Sequence, residues 1–289
     1  MSSYSTPAKR SWSLYATWIV ICCLLFAKPL VLLSQHALKN DNASHILLIP
    51  LIVAWLLFLD RKKITPSQLD FVAAAWFVLP ATVLSAIAIR GSLARMNVPL
   101  AVAILALVLF LTAGFIAVFG RSSAKPVGFS LAFLLFLVPF PDPLLNRIIY
   151  LLQVGSAAVA EILFDWSGAP VLREGFIFHL PKMSIEVAQE CSGIRSSMAL
   201  LILALLVAHF AFSRFWKKAL FVITGFLMMI VKNGIRIATL TLLANYVDPA
   251  FLYGGLHKKG GVVFFLIGLA LLWPVYWLLK RGERSATSD

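Results

Sequence analysis

Long apolar runs alternate with short polar segments along almost the whole chain. A helix that crosses about 30 Å of hydrocarbon needs roughly 20 apolar residues. The second and fifth runs are short by that measure, but the pattern still predicts eight membrane-spanning helices. Their predicted bounds are 12–33, 43–59, 69–89, 98–119, 126–140, 192–212, 219–245 and 260–279.

A ninth apolar segment, Leu144–Phe164, carries Arg147, Gln153 and Glu161. If the N-terminus is cytoplasmic and this segment does not cross, thirteen of the 25 Lys and Arg residues face the cytoplasm and eight face outside. If the segment did cross, the basic cluster at 214–218 would be forced outside. We therefore predict an interfacial or re-entrant helix at Leu144–Phe164, and eight spans with both termini inside.

Apolar residues alternate with polar ones in the region that precedes residue 190. The alternating positions are Phe176, Phe178 and Leu180, then Met183, Ile185 and Val187, around a turn at Leu180–Lys182. This pattern predicts a short extracytoplasmic β-hairpin in an otherwise all-α integral membrane protein. No repeat or soluble domain is visible, so we expect a single polytopic membrane domain over 1–289, with a core at 12–280 and short cytoplasmic tails at 1–11 and 281–289.

The composition agrees with a polytopic membrane protein. Of 289 residues, 61% are hydrophobic and 13% are charged, and the mean hydropathy is +0.93. The first apolar run is too long for a signal peptide and no small-residue cleavage pattern follows it, so we interpret it as the first span. The net charge of +13 comes from short basic clusters between apolar runs. This pattern is typical of residues that orient membrane spans, and it does not indicate nucleic-acid binding.

The first polar cluster is Glu190-Cys191-Ser192-Gly193-Ile194-Arg195, at the start of the sixth predicted span. Cys22 and Cys23 lie in the first span, so no disulfide framework is expected and Cys191 is a free thiol. On the predicted topology, Cys191 lies at the outer N-terminal end of a helix, where unpaired N–H groups and the helix dipole favour a thiolate. Alternatively, Cys191 is a small buried thiol beside two surface charges. This segment alone does not distinguish a nucleophile from a buried thiol.

The second polar cluster lies within the seventh predicted span, where Asn233 and Arg236 are three residues apart and share one helix face. A guanidinium within a span is costly without a partner or a water-filled cavity, and this favours a functional site. The predicted direction of the span places Arg236 in its outer half, on the same side as Cys191. Lys232 is a snorkelling or pairing residue. The alternative is that Arg236 only holds helices together through carbonyl groups.

The third polar cluster is the loop GGLHKKGG, in which His257 immediately precedes the eighth predicted span on the outer side. A histidine there can act as a base or an acid near neutral pH, although a lone loop histidine carries little weight. Together the clusters fit acyl transfer: Cys191 attacks a peptide carbonyl, Arg236 stabilises the oxyanion, and His257 passes the proton to the leaving amine. One Cys and one His without regular ligand spacing do not predict a metal site, and no cofactor is expected.

At these residues the chain resembles the exosortase/archaeosortase family of membrane cysteine transpeptidases. The resemblance covers about residues 40 to 280, and the ordered set of motifs is what makes it specific. The matching stretches are Ser44–Pro50, Phe136–Pro141, Glu190–Ile194, Asn233–Ile237, and His257 with Gly261 and Phe264.

The resemblance implies an enzyme of the bacterial inner membrane, similar to a sortase, with its active site on the periplasmic side. Its partners would be membrane-anchored proteins with a C-terminal sorting signal of the PEP-CTERM type: a Pro-Glu-Pro motif, a membrane helix and a basic tail. The enzyme would cleave near the motif and transfer the acyl group to an acceptor. The implied catalytic residues are Cys191, Arg236 and His257; archaeal relatives have arginine in place of the histidine.

Further residues are expected to support the site or to bind substrate. These are Glu190, Ser192, Gly193, Arg195, Asn233 and His45, the last as a residue lining the same cavity from the second span. Of the candidates to bind the motif acid, Arg195, Arg173 and Lys258, we rank Arg195 first, because it shares the Cys191 helix face. Asn233 is expected either to orient Arg236 or to cap a distortion near Gly234. A rival function is a transporter or scaffold for exopolysaccharide export, in which Arg236 and Lys232 bind an anionic substrate.

Overall fold

The structure is a computed structural model that describes residues 6–65, 69–90, 98–187, 193–252 and 261–284. These residues are mostly helical and include one small β-sheet, as the sequence predicts. The chain divides into two compact units, Met1–Leu145 and Asn146–Asp289. Each unit is described below by itself; the expectation of a single domain stays a prediction.

The first unit is built from helices. Its α-helices are α1 (Thr6–Leu25), α2 (Ala27–Lys39), α3 (Ile49–Asp60), α4 (Phe71–Arg90), α5 (Val98–Ala124) and α6 (Gly128–Phe133), with 3₁₀ helices at Asp41–Leu48, Arg61–Lys63 and Leu134–Leu137. Helix α1 packs on α5 through Trp18, whose indole N–H donates to the carbonyl of Phe110 at 2.9 Å. Gly114 makes this contact possible, because a Cβ there would lie 2.0 Å from the Trp18 ring.

The first predicted span, 12–33, is bent. The segments Arg10–Leu25 and Ala27–Lys39 meet at 77°. Pro29 explains the break, because its ring clashes with the carbonyl of Leu25, four residues earlier, and it has no N–H to donate.

The second unit begins within helix α7 (Asp142–Ser167) and continues through a sheet and three long helices. The elements are β1 (Leu172–Glu174), β2 (Ile177–His179), β3 (Ser184–Glu186), α8 (Ile194–Ala211), α9 (Phe215–Tyr246), a 3₁₀ helix at Pro249–Leu252, and α10 (Gly261–Arg284). The strands form an antiparallel sheet in the order β1-β2-β3, with Phe178 opposite both Arg173 and Ile185. The predicted hairpin is therefore present as β2–β3, with β1 as an additional strand.

The sheet packs against α7 and α9 through apolar side chains. The buried members of this cluster are Ala157, Ala160, Phe164, Phe178, Leu180, Val187, Ile237 and Ala238. Phe178 is fully buried and meets Phe164 edge to face, with ring centroids 5.1 Å apart. Of the alternating positions of the predicted hairpin, Phe178, Leu180 and Val187 are buried in this cluster and Phe176 packs against it. These contacts fix the sheet beside the C-terminal half of α9.

Helices α8, α9 and α10 form a bundle with a cluster of basic residues at one end. At one end, Lys280 donates to the carbonyl of Ala211 at 2.7 Å, and Lys217 donates to the carbonyl of Leu279 at 3.1 Å. Both carbonyls lie at or near the C-terminal end of a helix, where carbonyl groups lack intrahelical donors. With Arg214, Lys218 and Arg281, these lysines make this the basic end of the bundle.

Within the part of the chain that the structure describes, seven helical segments are long and apolar enough to cross a membrane, and the bent pair would make an eighth. The fifth predicted span, 126–140, contains only ten helical residues, Gly128–Leu137, about half the length that a span needs. Conversely, α7, which we expected to lie at the interface, is 26 residues long and qualifies by length and composition. Its polar residues are compensated within the protein: Gln153 is buried and hydrogen-bonded, and Glu161 pairs with Arg173 at 2.6 Å.

Candidate active site

The Asn233 side chain links α9 to α7. Its amide donates to the hydroxyl of Ser156 at 3.1 Å, and both residues are buried. The helices approach closely here, because a Cβ at Gly234 would lie 2.5 Å from Val159 and one at Gly155 would lie 2.8 Å from Ile230. Gly234 therefore serves close packing, which is how small residues let helices associate in membranes. Asn233 is thereby fixed at the junction of the two helices.

Gly193 brings the first sequence motif against the second. It is the N-cap residue of α8 and has a φ of +68°, a conformation that favours glycine. A Cβ at this position would lie 2.6 Å from Oδ1 of Asn233 and 3.7 Å from Nζ of Lys232. The two predicted supporting residues, Gly193 and Asn233, are thus in contact. Glu190, Cys191 and Ser192 lie outside the described residues.

The segment that carries Cys191 is held at both of its ends. On one side, Val187 is buried; its N–H donates to the carbonyl of Phe176 at 2.9 Å, and its carbonyl accepts from Gln153 at 2.7 Å. On the other side, Gly193 is held against Asn233. Five residues, 188–192, lie between these two fixed points. The two residues that flank this segment in the chain, Val187 and Gly193, are thus held against α7 and α9.

Lys232 is only 1% exposed, although it is a charged residue within α9. Its ammonium donates to the hydroxyl of Ser196 in the first turn of α8, and Ser196 donates to the carbonyl of Gly193 at 3.0 Å. The aliphatic part of the side chain packs against α10, where a Cβ at Gly268 would lie 3.4 Å from Cδ of Lys232. A lysine at the centre of a membrane helix costs about 3 kcal/mol. Lys232 is therefore a pairing residue and not a snorkelling one.

Arg236 lies one helical turn beyond Lys232 on α9 and is half-buried. It follows Asn233 by three residues, on the same helix face. His257 lies outside the described residues, as does Lys258. The described chain enters this loop from the 3₁₀ helix Pro249–Leu252 and leaves it at Gly261, the first residue of α10. The predicted meeting of Cys191, Arg236 and His257 stays a prediction.

The candidates for binding a substrate carboxylate differ in their surroundings. Arg173 is committed to the sheet, since it donates to Glu161 at 2.6 Å and to the carbonyl of Gly175 at 2.9 Å. Arg195 is exposed on the first turn of α8. The ranking of Arg195 ahead of Arg173 stays a prediction.

His45 belongs to the first unit. It lies in the 3₁₀ helix Asp41–Leu48 and lines a cavity of about 110 Å³ together with His36, Asn40, Asn42 and Asp142. The expectation that it faces the same cavity as Cys191 stays a prediction. His179 contacts Ser184 and Glu174 on the sheet. Among the described residues, no group of three or more His, Cys, Asp or Glu side chains could hold a metal ion.

Sequence reasoning missed three polar residues that position the site: Gln153, Ser156 and Ser196. Gln153 and Ser156 are three residues apart in α7, so they share one helix face. That spacing is the signal by which they could have been found. Ser196 carries no comparable signal, because serine in a first helical turn usually serves only the helix itself.

Comparison with known proteins supplies the family. The sequence model described as transmembrane exosortase (Exosortase_EpsH) matches residues 35–274. This range includes Gly193, Asn233 and Arg236 as well as Cys191 and His257. No curated protein and no solved structure matches the chain significantly. Because the match covers well over half of the sequence, this multi-pass membrane protein belongs to the transmembrane exosortase family.

Proposed function

We propose that this protein is a membrane cysteine transpeptidase that cleaves the C-terminal sorting signals of exported proteins, with Cys191 as nucleophile. Family membership supports a membrane transpeptidase role in general. The observation that carries the specific proposal is the contact between Gly193 and Asn233. It joins the chain segment two residues after Cys191 to the helix face that bears Arg236.

The distances allowed by the chain agree with this proposal. Two residues span at most about 7 Å, so the Cα of Cys191 lies within that distance of the Cα of Gly193. Arg236 lies about 4.5 Å along the axis of α9 from Asn233. A sulfur and a guanidinium can therefore meet beside Asn233 without any rearrangement of α8 or α9.

The chemistry proceeds in two acyl transfers. The Cys191 thiolate attacks the scissile peptide carbonyl, and Arg236 stabilises the negative charge that develops on its oxygen. The C–N bond then breaks, and His257 gives a proton to the departing amine, leaving a thioester on Cys191. An acceptor nucleophile loses a proton to His257 and attacks the thioester, which releases the acyl group and regenerates the thiolate.

The substrate class follows from the setting of the site. A protein anchored by its own C-terminal helix diffuses in the bilayer plane, so its sorting motif reaches the outer site at a high effective concentration. Arg195, exposed at the start of α8, is the first candidate to bind an acidic residue of the motif. Strand β3 ends at Glu186, five residues before Cys191 in the chain, so the sheet β1–β3 offers a surface for the peptide.

The charge of the bundle supports an extracytoplasmic site in the inner membrane of a bacterium. The basic end of α8–α10 satisfies the positive-inside rule if it is cytoplasmic. From Phe215 at that end to Lys232, α9 rises about 26 Å, close to the thickness of the hydrocarbon core. Exchanging 126–140 for α7 as the crossing segment leaves the number of spans before Cys191 unchanged, so Cys191 stays on the outer side.

Replacing Cys191 tests the proposal directly. A Cys191→Ala variant should accumulate in the membrane normally but fail to process a co-expressed tagged substrate, and Cys23→Ala, an exposed cysteine of α1, is the matched control. Mass spectrometry of the wild type should find the peptide attached to Cys191. Normal processing by Cys191→Ala would refute the proposal and favour the transporter or scaffold, in which that cysteine only fills space.

A further inference from the structure

An open groove of about 560 Å³ runs between α1 and α3 in the first unit. On each side the lining positions have the i, i+4, i+7 spacing of a single helix face. They include Trp12, Ala16 and Ile19 on α1, and Ala54, Phe58 and Arg61 on the other side. Arg61 is the one charged residue among the described residues that line the groove. The described wall is therefore apolar along its length and cationic at a single position.

Trp12 and Arg61 lie at the same end of the groove, which we call its mouth. Trp12 packs against Phe119 of α5, with ring centroids 4.9 Å apart. Four residues later in α5, the hydroxyl of Ser123 donates to the carbonyl of Thr65, which lies just beyond the 3₁₀ helix that begins at Arg61. The C-terminal end of α5 therefore connects the two sides of the mouth.

The groove extends from its mouth along a membrane span. From Arg61 back to Ala54, a helix rises about 10 Å. The hydrocarbon core of one leaflet is about 15 Å deep. On the proposed topology Arg61 lies at the cytoplasmic surface, so the groove covers about two-thirds of the depth of the inner leaflet.

The mouth lies in a basic part of the first unit. The charged residues at this end are the cations Arg61, Lys62, Lys63, Arg121 and Lys125 and the acids Asp60 and Asp70. Lys63 pairs with Asp60 at 2.7 Å, and Asp70 accepts from the N–H of Ala73 at 2.9 Å at the start of α4. Among the described residues, the other four cations have no acidic partner. A surplus of positive charge therefore surrounds the mouth.

Arg61 is held on the wall of the groove. Its guanidinium stacks 3.7 Å above the Phe58 ring, and one N–H donates to the carbonyl of Phe58 at 2.7 Å. A guanidinium has five N–H donors and stays charged at every physiological pH. Two parallel donors of this group match two oxygens of a phosphate. The mouth therefore combines the chemistry of a phosphate site with an apolar groove beneath it.

We propose that this groove binds an anionic phospholipid of the cytoplasmic leaflet, with its phosphate on Arg61 and one acyl chain between α1 and α3. Basic pockets between membrane helices on the cytoplasmic side bind anionic head groups, and tryptophan is enriched at that level of the membrane. Lys62, exposed beside Arg61, supplies a second cation for the head group. The choice of leaflet rests on the proposed topology, whereas the lipid site itself does not depend on Cys191.

Charge complementarity favours a lipid over the membrane helix of a partner protein as the occupant. The proposed sorting signal ends in a basic tail on the cytoplasmic side, and that tail would meet the cations of the mouth. Like charges placed together disfavour such a partner. An anionic phospholipid instead brings an apolar chain to the groove and a negative charge to Arg61.

The test measures lipid binding to the purified full-length protein in detergent. Thermal unfolding is followed as phosphatidylglycerol is added, and phosphatidylcholine with the same acyl chains is the zwitterionic comparison. A ligand that binds the folded state raises the midpoint of unfolding. We expect phosphatidylglycerol to bind the wild type about ten-fold or more tightly than phosphatidylcholine. Glycerol 3-phosphate has no acyl chain and should leave the midpoint unchanged.

Two pairs of variants locate the site. Arg61→Gln should weaken binding of phosphatidylglycerol by about ten-fold or more and leave phosphatidylcholine unaffected, whereas Arg61→Lys keeps the charge and should lose less. Arg281→Gln is the matched control, because Arg281 also stacks on an aromatic ring, 3.2 Å above Trp277. Ala54→Phe fills the groove and should weaken binding of both lipids. Its control is Ala86→Phe, at an exposed alanine of α4.

Several outcomes would overturn the proposal. These are equal binding of the two lipids by the wild type, equal binding of phosphatidylglycerol by Arg61→Gln and Arg281→Gln, and equal binding by Ala54→Phe and Ala86→Phe. A midpoint shift with glycerol 3-phosphate as large as that with the lipid would also overturn it. Displacement of the lipid by a synthetic membrane helix with a basic tail would favour the helix as occupant and overturn it as well.

The unfolding midpoint of each variant without lipid shows whether it is folded. If Arg61→Gln does not fold, Ala54→Phe still tests the site, because Ala54 is exposed and outside the packed core. The measurements need neither substrate nor cysteine chemistry. Failure of the lipid site therefore leaves the proposed transpeptidase intact, and failure of the transpeptidase leaves the lipid site intact.

Discussion

Lys217 and Lys232 are almost equally buried on α9, but they lie in opposite electrostatic settings. Lys217 donates to the carbonyl of Leu279, near the C-terminal end of α10, where the helix dipole is negative. Lys232 reaches the first turn of α8, where the dipole is positive and where the nearest described charges are cations. The buried fraction of a lysine in this protein therefore does not indicate whether its electrostatic surroundings stabilise the charge.

The comparison separates the basic end of the bundle from the end that carries the candidate site. At the basic end, the ammonium groups of Lys217 and Lys280 donate to helix carbonyls, whose partial negative charge stabilises them. At the Gly193 end, Lys232 is buried beside the N-terminal turn of α8, whose positive dipole disfavours a cation. Local violations of this kind are expected at functional sites, where the rest of the fold compensates for them.

The largest expected effect is the presence or absence of cysteine labelling, which reports the side of the membrane that each end of the bundle faces. In a background of Cys22→Ala, Cys23→Ala and Cys191→Ala, single cysteines replace Ser184 in β3 and Ser213 at the basic end, both exposed. A membrane-impermeant maleimide should label Ser184→Cys and leave Ser213→Cys unlabelled in cells whose outer membrane has been opened. Permeabilised cells should label both. Labelling of Ser213→Cys alone would invert the proposed topology.

Arginine replacement at each end should give the next largest difference. Arg236→Ala should reduce processing by about 10²–10³-fold, the usual effect of losing one oxyanion-stabilising donor. Arg281→Ala removes a guanidinium stacked 3.2 Å above the Trp277 ring at the basic end and should leave processing intact. Both are measured by processing of a tagged substrate at equal membrane abundance. Equal losses in the two variants would contradict a special role for Arg236.

Glycine replacement isolates the contact between the two motifs. Gly193→Ala and Gly168→Ala share the same strain, because both residues have a φ of +68°, and that strain costs about 1–2 kcal/mol. Only Gly193 faces a neighbour, Asn233, whereas a Cβ at Gly168 would meet open space. Gly193→Ala should lower processing by about ten-fold or more, since small displacements in a site are costly. Processing and thermal unfolding in detergent are measured together; equal activities would argue against the contact.

The smallest effect is expected at Gln153. Gln153→Leu leaves the carbonyl of Val187 without its donor, which should lower the free energy of unfolding by about 1–3 kcal/mol and slow processing several-fold. Ser167→Ala removes a local hydrogen bond to Phe164 on the same helix and serves as the control. Thermal unfolding and processing rates check both variants. A stability loss without any change in processing would make Gln153 purely structural.

The helical membrane fold and the hairpin were predictable because each follows from a local pattern: run length for spans, and alternation for strands. The bend at Pro29 follows from equally local chemistry that hydropathy ignores. Hydropathy alone could not decide which of the two segments, 126–140 or α7, is able to cross the membrane. Hydropathy counts Gln153 and Glu161 as polar, whereas their partners, Val187 and Arg173, become neighbours only after folding.

The candidate site was predictable as a set of residue types but not as a geometry. Asn233 and Gly193 were expected near the site, and their contact is observed. The roles of Ser156 and Ser196 depend on which helix faces meet, and a single sequence does not contain that information. Lys232 was recognised as unusual, but its burial was not foreseeable from hydropathy, because snorkelling and pairing give the same pattern.

The length of α9 has a consequence for how a peptide arrives. The helix has 32 residues, of which fourteen follow Lys232, so about 21 Å of it rises above the level of that residue. On the proposed topology, this part of α9 and the β-sheet packed against it stand beyond the hydrocarbon core. A peptide tethered by its own membrane helix would then meet them as it leaves the bilayer.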